Sequence, residues 1–293
     1  MKPRVSVLVV SYNAPATLER CLESLEAQLG PDTEIIVADC STLDPRLQFR
    51  RQFTSVKFLR FERRLTIPEL RREAMRSAGG EIFLLTEARV VPSKDWAALL
   101  VKAHTTHPKA PAVGGPLDSN PRSSFDAAVF FCEYGLHMAP APDGEASQLS
   151  GANLSYKRWA IERCQDLVEA GAWEPFIHQR LSEQGGSLVR VGKAVAFYHN
   201  SLSAAQFARQ RFHYGRWYAA ARAARATRLL RAASCPVVPL VLTLRLSRLA
   251  ATRGRLRRFL WALPWILPFQ TIWAAGEFCG YLLGKGESDR QVF

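Results

Sequence analysis

In the stretch LLTEARVVP an apolar run ends at Glu87, and Arg89 follows two residues later. Open α/β sheets place their ligands beyond the carboxyl ends of the strands, so a carboxylate and a guanidinium there are candidates for chemistry. Asp39 closes another apolar run, EIIVAD, where its carboxylate can accept two hydrogen bonds from a ligand or, as the alternative, cap the turn that follows. The first run, RVSVLVV, opens into Ser11, Tyr12 and Asn13, which offer a hydroxyl, an aromatic face for stacking and an amide. Glu174 stands between Trp173 and Pro175 at the start of a helical pattern. Pro175 pre-sets φ for the first turn and the carboxylate lies by the positive helix end, which stabilises the helix whether or not Glu174 does chemistry. Arg71 and Arg76 sit in PELRREAMRS, where they face either an anion or solvent.

These residues need a scaffold, and the periodicity supplies one. RVSVLVV, a polar loop and ATLERCLESLEAQ, with Leu18, Leu22 and Leu25 at helical spacing, read as strand, loop, helix. EIIVADC, SVKFLRF and EIFLLTEA are further strands, with PELRREAMRSAGG a helix closing on glycines before the last of them. Strands that alternate with helices predict a Rossmann-like, mostly parallel sheet flanked by helices. Pro111 to Gly151 is rich in turn formers and is expected to be a mobile loop. EPFIHQRLSEQGG reads as a helix, SLVRVGKAVAFYH as strands, and the arginine-laced segment from Ser203 to Arg231 as a long helix.

The net charge of +13 resides in one segment. Between Leu202 and Arg258 there are thirteen arginines, no lysine and no acidic residue, while the other 26 basic residues balance the 26 acidic ones. Such a block suits an anionic membrane surface or nucleic acid. Aromatics are sparse among these arginines and an apolar stretch of 25 residues, Phe259 to Leu283, follows, so anionic lipid is expected and nucleic acid is not. CPVVPLVLTLRLSRLA, interrupted by Arg245 and Arg248, reads as an interfacial helix, and Glu277 is expected to face protein or headgroups. The alternative for the apolar stretches is a buried hairpin bent at Pro264 and Pro268. Six scattered cysteines without a C-x-x-C pair fit reduced thiols in a cytoplasmic domain, and the amino-terminal apolar run is too short for a signal sequence.

The loop after the first strand contains no glycine, so neither a dinucleotide fingerprint nor a P-loop is present. VSVLVVSYNAPATLERCLESLEAQ, EIIVADCST, GGEIFLLTEARVVPSKDW, SGANLSYKR and AGAWEPFIHQRLSEQGG, in that order, resemble the landmarks of the family 2 inverting nucleotide-sugar glycosyltransferases, of GT-A fold. The resemblance runs from about residue 4 to about residue 216, and WAAGEFCGYLLGKG resembles the membrane-associated tails of some bacterial members. It implies a UDP- or GDP-sugar donor, with Ser11, Tyr12 and Asn13 around the base, Asp39 on base or ribose, and Arg71, Arg76, Glu87 and Arg89 near ribose and diphosphate. Glu174 is implied as the catalytic base, and Gly151 and Asn153 as acceptor-side residues. RQRFHYG resembles the QRxRWxxG signature of processive members, which implies Arg211 near the diphosphate and Tyr214 on the acceptor side, although His213 and Tyr214 depart from it.

The family's acidic motif would also hold Mg²⁺ or Mn²⁺, but Ala88 stands where the ligand is expected. Three alternatives follow: Arg89, with Arg71 or Arg211, replaces the cation; Glu87 and His199 hold a metal in a shifted register; or activity is lost and the chain is a nucleotide-sugar-binding membrane scaffold. The implied organisation is a GT-A domain over 1–203, a basic amphipathic helix over 204–233, membrane-associated helices over 234–285 and a tail over 286–293. The implied reaction transfers a sugar to a hydroxyl of a glycan or polyprenyl-linked acceptor at the cytoplasmic membrane face.

Overall fold

The computed structural model describes residues 4–28, 30–222 and 227–291. The chain runs β1 (Val5–Ser11), α1 (Pro15–Glu26), β2 (Thr33–Asp39), α2 (Pro45–Phe49), β3 (Val56–Arg60), α3 (Ile67–Ser77), β4 (Ile82–Glu87), β5 (Val90–Pro92), α4 (Trp96–Thr106), β6 (Ala112–Gly114) and β7 (Leu117–Ser119). It continues through α5 (Ser124–Tyr134), β8 (Gly144–Ala146), β9 (Leu154–Lys157), α6 (Arg158–Glu162), α7 (Gln165–Glu169), α8 (Glu174–Glu183), β10 (Leu188–Arg190) and β11 (Ala196–Tyr198). The remainder is helical: α9 (Ala204–Arg222), α10 (Arg228–Ser234), α11 (Val238–Thr252) and α12 (Leu256–Leu283).

Two compact units result, one of Met1–Asp118 with His137–His199 and one of Ser119–Leu136 with Asn200–Phe293. The first holds a sheet of eight strands in the order β3-β2-β1-β4-β9-β6-β10-β8. The strands β3, β2, β1 and β4 are mutually parallel, and β9 pairs antiparallel with β4 and β6. All seven residues of β1 are buried, as expected of a strand covered on both faces. The chain steps outward from β1 to β2 and β3 and then returns to the other side of β1, which makes the β1/β4 carboxyl ends the topological switch point. A capping box between Thr66 and Glu69, with Pro68 in the first turn, starts α3 and fixes where its inward face carries Arg71. Below the sheet, Leu70, Ala74, Phe83, Leu85, Tyr156 and Ile177 belong to one core that α3, β4, β9 and α8 share.

The stretch expected to be a loop, Pro111 to Gly151, instead contains β6, β7, α5 and β8. Its turn formers cluster outside SFDAAVFFCEY, whose helix is capped by the Ser123 hydroxyl, which accepts from the Asp126 amide, and buries Phe130 and Phe131. This helix groups with the second unit, so the boundary expected at residue 203 is not the only one in the chain. The helix expected over 204–233 is described as α9 and α10; residues 223–226, like 292–293 of the tail, lie outside the described residues.

Within the second unit α12 continues unbroken through Pro264 and Pro268. One face, including Phe259, Ile266 and Phe269, is buried, and Glu277 is ion-paired with Arg222 at 2.6 Å, facing protein as expected. Among the described residues the stretch that is long and apolar enough to cross a membrane by composition is Arg228–Thr252, rather than Phe259 to Leu283. All six cysteines are free.

Candidate functional site

The register of the four parallel strands brings their carboxyl ends into one row. Asp39 pairs with Arg60 across β2/β3 and with Ser11 across β1/β2, and Val10 pairs with Glu87 across β1/β4. At ~4.8 Å between strands the row from Arg60 to Glu87 spans ~14 Å, the scale of a nucleoside diphosphate.

At one end of that row Asp39 is buried, 1 % exposed, and satisfied. Its Oδ1 accepts from the Ser41 amide at 2.9 Å and from Arg60 Nη1 at 3.1 Å, and its Oδ2 accepts from the Ser41 hydroxyl at 2.6 Å. The turn-capping alternative is therefore present in the structure, with an ion pair added. Asn13 adopts φ +46°, a left-handed conformation that asparagine tolerates better than most residues. From there its backbone amide donates to Ser41 Oγ at 2.8 Å and its Oδ1 accepts from the Thr42 amide at 2.8 Å, which joins the β1 and β2 loops. The ring of Tyr12 lies beneath the Arg64 guanidinium, 5.0 Å from ring centroid to Cζ.

At the other end Arg71 is 4 % exposed and joins two carboxylates. Its Nη2 donates to Glu87 Oε1 at 2.8 Å and its Nη1 donates to Glu174 Oε1, so one guanidinium ties the end of β4 to the start of α8. Burial alone would lower the affinity of Arg71 for its proton, but the charges of Glu174 and Glu87 outweigh it and the net direction is upward. Arg71 is a fixed cation shared by two carboxylates. Gly151 presses on the same pair: a Cβ there would lie 2.7 Å from Arg71 Nη1 and 2.7 Å from Glu174 Cδ. Behind the cluster Tyr156 donates to, or accepts from, His178 Nε2 at 2.9 Å, and burial pushes the phenol well above its ordinary range.

Arg71, Leu85, Tyr156, Glu174 and Ile177 also line a cavity of about 10 Å³. That is below the roughly 300–1,000 Å³ usual for ligand pockets, so a nucleotide sugar would have to lie along the open strand ends instead.

The structure does not bring every expected residue to this row. Arg76, in the last turn of α3, makes exposed ion pairs with Glu73 and Glu169. Asn153 is wholly buried; its Nδ2 donates to the Pro116 and Ala194 carbonyls, each at 2.8 Å, and its Oδ1 accepts from the Trp96 indole at 2.7 Å. The acceptor-side expectation for Asn153 is thereby replaced by a positioning role, because both ends of its amide are occupied. Arg211 belongs to the second unit, where it is engaged with Glu133, the Cys132 carbonyl, Gln270 and the Trp273 ring. Tyr214 packs edge-on against Trp273 in the same unit. Arg60, Arg64 and Ser41 were not anticipated; a basic residue closing SVKFLRF in register with Asp39 was the available signal for Arg60.

A divalent metal is what the resemblance implies here, and the residues do not fit a metal held by the protein. Ala88 is buried and offers no ligand atom, and Glu87 is ion-paired with Arg71. Among the described residues no three His, Cys, Asp or Glu side chains come together as a ligand set. The ring Nε2 of His199 instead lies 3.5 Å from Arg20 Nη2, and the His199 amide donates to the Arg89 carbonyl at 2.8 Å. The Arg89 guanidinium reaches the Tyr12 carbonyl at 3.5 Å, at the β1/β4 switch point.

Residues 6–131 match the model of Glycosyl transferase family 2. An uncharacterized glycosyltransferase of Bacillus subtilis (strain 168), YfnE, is 30% identical over 105 residues, 34% of this chain and 27% of that protein. The match thus spans about a quarter of the curated relative. The mannosyltransferase PcManGT of Pyrobaculum calidifontis, solved with GDP-Man and Mn²⁺, is similar over 94% of this chain and 87% of its own, with TM-score 0.62 and 19% identity. GalNAc-T7, solved with UDP, GalNAc and Mn²⁺, is similar over 69% of this chain and 44% of its own, with TM-score 0.55 and 17% identity. At these identities the likeness establishes the GT-A-like fold.

Proposed function

The chain carries a glycosyl transferase family 2 domain, and from that premise we propose that it moves a sugar, with inversion, from a UDP- or GDP-sugar to a hydroxyl of a glycan or polyprenyl-linked acceptor at the inner face of a membrane. The observation that carries the reading is the guanidinium of Arg71 between Glu87, at the end of β4, and Glu174, at the start of α8. It ties a carboxylate at the switch point, where a donor ribose would lie, to one placed to serve an acceptor.

In the proposed step the acceptor oxygen bonds to the anomeric carbon while the bond from that carbon to the diphosphate oxygen breaks. The acceptor proton passes to Glu174 and the nucleoside diphosphate leaves as an anion. Arg71 occupies Oε1, which leaves Oε2 to take the proton. Arg89, at the switch point, serves as a fixed cation for the diphosphate, a planar donor able to meet two of its oxygens at once. The membrane placement is supported by the arginine block and by the apolar stretch Arg228–Thr252.

Calorimetric titration of UDP and GDP, with Mn²⁺ and with EDTA, tests the donor half. Binding in EDTA that weakens about 10- to 100-fold in Arg89→Ala is expected, the range of a charge-assisted hydrogen bond. Binding that needs Mn²⁺ would overturn the assignment of Arg89, and absence of binding in both would leave a scaffold without donor. Glu174→Gln should retain donor binding and lose transfer by about 10²- to 10⁴-fold, and unchanged turnover would remove Glu174 as base.

A further inference from the structure

The second unit has one polar side and one apolar side, and the way its two longest helices are joined constrains how it can meet a bilayer. Along α12, from Leu260 to Leu283, no exposed position carries a charge, and Leu260, Trp261, Trp265, Leu267, Phe278 and Leu282 all lie open. At 1.5 Å per residue this face is ~36 Å long, which would suffice to cross a membrane. The preceding helices also expose Leu229, Leu230, Val237, Leu240, Val241 and Leu244, with Arg245 and Arg248 exposed among them.

The partner of α12 argues against crossing. Contacts between α9 and α12 advance in step: Phe207 meets Phe269, Arg211 meets Gln270, and Arg222 meets Glu277 and Tyr281. The two helices are therefore parallel and side by side. They are also packed backbone to backbone, since a Cβ on Gly276 would lie 2.1 Å from the Phe212 carbonyl oxygen and one on Gly280 would lie 2.2 Å from that of Arg216. Were α12 to stand across the hydrocarbon, α9 would be carried in with it, exposing Gln206 and Arg209 to lipid. Arginines lie at both ends of the pair, with Arg222 beside Tyr281 and Arg255, Arg257 and Arg258 at the start of α12. Lying flat places both sets at the headgroups of one leaflet.

We propose that the outer face of α12 docks in the plane of an anionic phospholipid leaflet, with α9 on its water side, and that α12 does not cross. The occupant is named by charge and shape: an apolar face with two exposed indoles, Trp261 and Trp265, directly following a segment with thirteen arginines and no acid between Leu202 and Arg258. The proposal deepens the membrane placement above and uses none of the transfer chemistry, so its test needs neither donor nor acceptor.

The full chain is mixed with vesicles of phosphatidylcholine, with and without phosphatidylglycerol. Salt-sensitive flotation with the anionic vesicles is expected, with tryptophan fluorescence quenched more by lipids brominated near the headgroup than by lipids brominated near the chain end. The double variant Leu260→Glu with Trp261→Glu, at the two most exposed of those α12 positions, should lose binding by about tenfold or more while keeping the Tm of the parent. Quenching strongest at the chain end, with the residues around Arg253–Arg258 protected from trypsin added outside, would overturn the in-plane arrangement in favour of a span. Failure of the folded parent to float would overturn the lipid assignment, and a dimer in solution that the double variant dissolves would identify a second copy as the occupant instead.

Discussion

A methyl group on Gly151 would enter the Arg71–Glu174 ion pair. Its Cβ would stand 2.7 Å from Arg71 Nη1, 2.7 Å from Glu174 Cδ and 2.9 Å from Arg71 Cζ, against an ordinary contact of ~3.5–4.0 Å. Gly151 is not among the glycines with positive φ, so space, and not backbone conformation, is what requires glycine there. Neither neighbour yields freely, since Arg71 is also held by Glu87 and both pair members are nearly buried. If the backbone shifts instead, overpacking costs about 1–3 kcal/mol; if the pair opens, the cost approaches the ~3–5 kcal/mol of breaking a buried ion pair. Gly151→Ala is therefore expected to destabilise by about 2–4 kcal/mol, a fall of roughly 5–15 °C in Tm for a unit of this size. Because ~1 Å of displacement of a catalytic group can cost about 100-fold, sugar transfer should fall at least that far in the protein that remains folded.

Scanning fluorimetry and a transfer assay read these two effects, and a double-mutant cycle locates their cause. In a Glu174→Ala background Cδ is gone, so the penalty of Gly151→Ala should shrink by ~1 kcal/mol or more. An undiminished penalty would mean the methyl clashes elsewhere. Wild-type Tm and turnover in Gly151→Ala would refute the tight cluster itself.

Asn153→Ala removes the partner of the Trp96 indole and of the Ala194 carbonyl in the interior, while the Pro116 carbonyl keeps the Ala196 amide, so a loss of ~2–5 kcal/mol is expected in urea unfolding. The acceptor preference of the folded remainder should not change, and a change would restore Asn153 to the acceptor side. Burial, with the charge of Lys157, lowers His104 to about 4, and burial, with the charge of His137, lowers His178 to about 3. Both stay neutral in the folded chain while the unfolded chain takes up protons near pH 6.5, so stability falls as pH drops from about 6.5 towards 4, by up to ~1.4 kcal/mol per pH unit for each histidine. Urea midpoints for His178→Gln should show the shallower dependence; an equal slope would contradict the neutral buried state. Asp39→Asn removes the ion pair with Arg60 and should lower stability as well as nucleotide binding, measured by Tm and by UDP and GDP titration, whereas a purely ligand-facing aspartate would leave Tm unchanged.

The strands and their order of use were legible because each is short, apolar and closed by a polar residue. VSVLVVS, TEIIVAD and IFLLTE differ little from any buried parallel strand, yet their last residues fall side by side once the register is known. What the pattern could not carry was contact at long range. Arg71 and Glu174 are 103 positions apart, and nothing in PELRREAMRS says which of its arginines turns inward; the capping box at Thr66 and Glu69 does, by fixing the phase of α3. Asn153 shows the converse limit, since a buried amide that ties two loops and an amide that meets a ligand share one residue type.

The same reasoning separates the two carboxylates that the sequence treated alike. Asp39 has both oxygens satisfied by Ser41 and Arg60, a local arrangement that persists without a ligand. Glu87 and Glu174 share one guanidinium drawn from a third element, so this arrangement depends on three elements that are distant in the chain. An acid held by a distant partner suits the role proposed for Glu174, which takes a proton from the acceptor as the sugar is transferred. The donor contributes negative charge of its own beside Glu87, which is why Arg89, two residues beyond, is the residue whose removal most directly tests whether a fixed cation stands in for the metal.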